Sequence, residues 1–115
     1  MAFAKHLYCA LLAGVLTVCL SAAAFAGDKL NPAKVPNDLR PLLPLAERWG
    51  IGDDVDREAA LARATKAEQQ TLRRAVEAHA SKITEWLDSF GADETMSDEA
   101  AAFMYMQLAV DELPN

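Results

Sequence analysis

Beyond residue 26 this chain has no cysteine, a single histidine and, after Lys82, no basic residue. Each absence removes a class of chemistry. Without cysteine there is no disulfide, no thiolate metal site and no covalently attached haem. With His79 alone, zinc lacks the three or four ligands that it needs. The stretch after Lys82 offers nothing to a phosphate backbone or an anionic lipid headgroup, because neutralising those charges takes Lys and Arg.

A membrane-spanning segment is also missing from the pattern. The longest apolar run, Leu7 to Leu20, has 14 residues, short of the roughly 20 that a bilayer-crossing helix needs. Its setting explains it. Lys5 and His6 precede it, and Ala24-Phe25-Ala26 follows with small side chains at both positions read by a signal peptidase. That layout predicts a cleaved secretory signal over residues 1–26, with Ala22-Ala23-Ala24 as a second cut. A lipid anchor on Cys19 is disfavoured by the branched Val18 before it. Both cysteines, Cys9 and Cys19, leave with this segment.

The whole chain has 11 Lys and Arg and 17 Asp and Glu; removing Lys5 with the signal leaves 10 against 17, a net charge of −7. The imbalance is local. From Gly27 to Lys82 there are 10 basic and 9 acidic residues, whereas Ile83 to Asn115 holds 8 acidic residues and no basic one. Such a surface repels nucleic acid and attracts a basic partner, although a solvated acidic face that maintains solubility has the same composition.

What is present is helical periodicity. Leu72, Val76, His79, Ile83, Trp86 and Phe90 recur every three or four residues along Thr65 to Phe90, one stripe down a long amphipathic helix. Thr65 and Glu68 have capping-box spacing, which favours a helix break at Thr65 over one continuous helix from Asp54 to Phe90, and a central helix over Lys66 to Ser89, about 36 Å long and ended by Gly91. Gly27 to Pro36 reads as an extended surface arm, since Asn31-Pro32 and Val35-Pro36 bias against helix. Asn37 to Trp49 reads as a short, broken helix with Leu39, Leu42, Leu43, Leu45 and Trp49 inward. In the turn Trp49 to Asp54, Gly50 and Gly52 permit positive φ and Asp53 or Asp54 caps the next helix. That helix, Asp54 to Ala64, is expected to face Val55, Ala59 and Leu61 or Ala62 inward, and Asp56, Arg57, Glu58 and Arg63 outward. Ser97 starts a last helix whose run from Ala100 to Val110 is apolar except for Gln107, so it is either buried on several sides or shared with a partner.

No alternation marks a strand, and no repeat marks a second domain. The expected fold is all-α: a small antiparallel bundle of three to four helices after a cleaved signal peptide, with residues 27–36 as an arm and 37–115 as the helical domain.

Catalytic constellations fail on spacing. A calcium loop starting at Asp54 would have Ala59 and Thr65 where glycine and glutamate are required. Haem held by His79 with Met96, Met104 or Met106 competes with the ordinary gap-filling use of methionine in a core. Ser81, Ser89 and Ser97 lie in helix or cap contexts without a nucleophile elbow, and Gly50-Ile51-Gly52 lacks the third glycine of a phosphate loop. The sequence therefore implies no enzyme and no cofactor. It reads as an exported protein, periplasmic or secreted, that binds another protein, with no nucleic acid, no membrane after signal cleavage, and self-association open to so short a chain. An acidic inhibitor or immunity protein for a basic exported enzyme is the second reading, and a small enzyme or haem or metal carrier the third. Candidate partner contacts are Trp49, Asp53, Asp54, Phe103, Tyr105 and Met106, of which the last helix's residues serve a core equally well.

Overall fold

A computed structural model describes residues 29–114, all of whose regular structure is helical. The expected signal peptide and Gly27 and Asp28 of the arm lie outside the described residues. Two 3₁₀ turns, Pro32–Lys34 and Asn37–Leu42, lead into five α-helices: α1 (Leu43–Trp49), α2 (Asp54–Arg63), α3 (Lys66–Ala78), α4 (Ala80–Asp88) and α5 (Asp98–Glu112).

The last helix is the hub. α5 packs against α1, α2, α3 and α4. Its Ala102, Phe103, Met106 and Ala109 are buried in one core with Leu39, Leu42, Leu43, Trp49, Leu61, Leu72, Val76 and Ile83. Coverage by four helices explains why α5 is apolar on nearly every side. Trp86 of α4 meets Phe103 edge to face, with centroids 5.3 Å apart and planes at 83°, a preferred aromatic geometry.

The predicted break at Thr65 is present as a complete capping box: the Glu68 N–H donates to Thr65 Oγ1 at 3.1 Å and the Thr65 N–H to Glu68 Oε1 at 2.9 Å. Arg48 of α1 then pairs with Glu68 Oε2 at 2.6 Å. Leu72, Val76 and Ile83 of the stripe are buried as expected.

Several details differ from the sequence reading. The central helix is two helices, because His79 departs from helical geometry with φ −117° and ψ 11°. Its Nδ1 donates to the Ala75 carbonyl at 2.8 Å, and its backbone N–H turns to the Val76 carbonyl at 3.1 Å. The ring thus occupies the carbonyl that the His79 N–H would take in a continuous helix. The arm does not run free: Val35 is buried, and Asn31 Oδ1 caps the first 3₁₀ turn through the Ala33 N–H. The fourth helix ends at Asp88, capped by Ser89, before Gly91 is reached, and Gly50, Gly52 and Gly91 all avoid positive φ. On α2 the faces are partly exchanged. Val55 is 74% exposed, whereas Arg57, expected outside, is only 2% exposed and shares the inner line with Leu61. A charge outweighs a valine there because its donors are met by partners at fixed places in the fold.

Candidate functional site

A close approach of α1 and α5 builds the site. Gly50 ends α1 against α5 so closely that an added Cβ would lie 2.5 Å from the Ala102 carbonyl oxygen and 2.5 Å from that of Ala46. Glycine is required there for space, since its φ is −80°. Beside this crossing a cleft of about 410 Å³ opens between the arm, the end of α1 with its following turn, and the first two turns of α5. Lys29 and Leu30 contribute from the arm, Glu47, Gly50, Ile51 and Gly52 from α1 and the turn, and Asp98, Glu99, Ala101 and Tyr105 from α5.

Two carboxylates, one from each helix, tie the arm across this cleft. The Leu30 N–H donates to Glu47 Oε2 at 2.8 Å, and the Asn31 N–H donates to Glu99 Oε2 at 3.0 Å. Glu99 is 6% exposed, and its other oxygen, Oε1, is buried without a hydrogen-bond partner. The Asn31 N–H, opposed by burial and aided by Glu99's own N–H and the Lys34 charge, holds the Glu99 carboxyl below the usual carboxylate range. Glu99 is thus an anion at neutral pH, suited to accept hydrogen bonds and balance positive charge and poorly suited to donate a proton.

The turn's far side is locked by Arg57. Its Nε donates to Glu112 Oε1 at 2.6 Å, Nη1 to the Ile51 carbonyl at 2.8 Å and Nη2 to Asp54 Oδ1 at 2.6 Å. The guanidinium sits 5.8 Å from the Tyr105 ring centroid. The Glu112 hydrogen bond, against the opposing effect of burial and with help from Asp54, raises the Arg57 pKa beyond its ordinary value. Arginine suits this position because one planar group reaches three acceptors on two helices and a turn.

The six candidate contacts therefore separate. Trp49, at 1% exposure, is core, as are Phe103 and Met106. Arg48 lies over the Trp49 ring at 4.5 Å. Asp53 caps α2 by accepting from the Asp56 N–H at 2.9 Å. Asp54, with its side chain 85% exposed, holds Arg57. Tyr105 alone lines the cleft, its ring edge 3.3 Å from where a Gly52 Cβ would stand. Sequence reasoning missed Glu47 and Glu99 as a pair, and Arg57 as a buried cation. The only local signal was the Asp54 to Arg57 spacing, which places both on one side of a helical turn.

Among the described residues no group of three or more His, Cys, Asp and Glu side chains is arranged to hold a metal ion, and no helix is long and apolar enough to cross a membrane. Comparisons with protein-family models, curated proteins and solved structures found no match to this chain.

Proposed function

We propose that this chain is an exported, non-catalytic helical protein that acts by binding a basic protein partner. The observation that carries the reading is the placement of its one-signed charge. Of the acidic residues after Ile83, Glu85, Asp88, Asp93, Glu94, Asp98 and Asp111 are exposed, while Glu99 is buried under the arm and Glu112, though exposed, is paired with Arg57. No basic side chain in that stretch dilutes them. A surface of this kind accelerates encounter with a cation-rich partner and disfavours acidic ones. An inhibitor or immunity protein covering a basic exported enzyme is one form of this activity. The finer architecture, an antiparallel bundle following a signal cut after Ala26, belongs to the same reading and is supported by the layout of residues 1–26 and by the four helices that cover α5.

The test is capture from the exported fraction of the native host, with the retained protein identified by mass spectrometry. A retained protein of basic composition, released by raised salt and lost from an Asp88→Asn, Asp93→Asn double variant, is the expected result. Retention that ignores both salt and the two substitutions would refute the charge-based contact.

A further inference from the structure

The cleft between α1 and α5 is incomplete as it stands. Among the described residues its charged lining is three carboxylates, Glu47, Asp98 and Glu99, and one cation, Lys29. Among the described residues no Lys or Arg forms an ion pair with Glu47 or Glu99. Glu99 lines the cleft while more than nine-tenths buried, and one of its oxygens has no donor. A buried acceptor left unsatisfied is destabilising, and more so when it carries charge. Such a cost is recovered when a donor arrives. The cleft's 410 Å³ lies within the range of sites that take one small group, and the Tyr105 ring adds a wall on which a cation can rest.

The geometry points to this cleft as the receiving site for one organic cation, the ammonium or guanidinium head of a lysine or arginine side chain, held by Glu99 and Glu47. The inference rests on the proposed binding of a basic partner and gives that partner an anchor. The exposed acidic face steers the partner, and the cleft takes a single side chain from it. Glu47 and Glu99 each have one oxygen committed to the arm, at Leu30 and Asn31, so the strap orients both carboxylates before the cation enters. Pre-set acceptors of this kind discriminate charge from shape, because a neutral group of the same size leaves them unpaired.

The probe is free N-acetyl-arginine amide, with N-acetyl-lysine amide in parallel and N-acetyl-citrulline amide as the neutral isostere, titrated into the intact protein and followed by amide chemical shifts. Saturable shifts at Gly52, Ala101 and Tyr105 are expected with arginine or lysine, with affinity reduced at least about tenfold for citrulline. Glu99→Gln keeps an acceptor for the Asn31 N–H and removes the charge, so it too should lose about tenfold. The citrulline comparison needs no variant and stands even if Glu99→Gln fails to fold. Equal binding of citrulline, shifts confined to the Asp93 and Glu94 loop, or no saturation overturns the inference. Those results leave capture of the basic protein to its own experiment. Capture of a basic protein without a cleft response would keep the acidic face and discard the anchor. A cleft that binds free lysine or arginine amide but not a peptide carrying the same residue would place the source in a small amine and overturn the side-chain assignment.

Discussion

Arg57 shows how a buried charge is retained when each guanidinium nitrogen has an assigned acceptor. Its partners come from Ile51 in the turn, Asp54 on its own helix and Glu112 at the end of α5. Arg57→Met leaves the Ile51 carbonyl and Glu112 without their donor. It should lower unfolding stability by about 2 to 4 kcal/mol in a urea titration. Arg57→Lys, a point charge that cannot span three acceptors, should recover only part of that loss. Glu99 makes a pH-dependent contribution with a definite sign. Its folded-state pKa lies below the ordinary value of 4.5, so the stabilisation is present above that value and is lost as pH falls through the folded-state value. The stability gap between the native protein and Glu99→Gln should be constant near neutrality and close as the pH falls below the ordinary carboxylate range. A gap unchanged by that fall would mean that the Glu99 charge does not stabilise the fold. Trp49→Ala should cost about 3 to 5 kcal/mol, as removal of a buried tryptophan does.

Elements were legible in the sequence where their cause was local. The Thr65 and Glu68 pair announces a helix start because both hydrogen bonds are made within four residues. Leu72, Val76 and Ile83 declare an inner face because periodicity is a property of one helix. The break at His79 was hidden, since it depends on a ring competing with its own backbone for the Ala75 carbonyl. His79→Ala removes the competitor. The Cα chemical shift at position 79 should then move to a helical value, joining α3 and α4, and an unchanged shift would assign the break to packing instead. Gly50 was misread for a related reason. Its neighbour in space is Ala102, which no turn rule reveals. Gly50→Ala should cost about 2 kcal/mol or more by forcing α1 away from α5. Gly52→Ala, which meets only the edge of the Tyr105 ring at 3.3 Å, should stay within about 0.5 kcal/mol. The Glu47 and Glu99 pair was illegible on the same ground, because it exists only where an arm from one end of the chain crosses a helix from the other.

At the scale of the molecule, the sequence pattern points to Thr65 to Phe90 as the organising stretch, while the structure gives that part to α5. Both views describe one apolar contact from opposite sides: Ile83 and Trp86 of α4 and Leu72 and Val76 of α3 cover the Phe103 and Met106 face. A helix covered by four others opens last, because exposing it requires all of them to separate. The division of labour follows. Inward residues of α5 hold the fold, its Glu99 and Tyr105 line a cleft, and the acidic residues around it face outward. Native-state amide hydrogen exchange on the intact protein tests this arrangement most directly. The slowest amides should be those of Phe103 to Ala109, exchanging only with global unfolding. If the slowest amides lay instead in α3 and α4 while α5 exchanged through local opening, α5 would not be the centre of the fold.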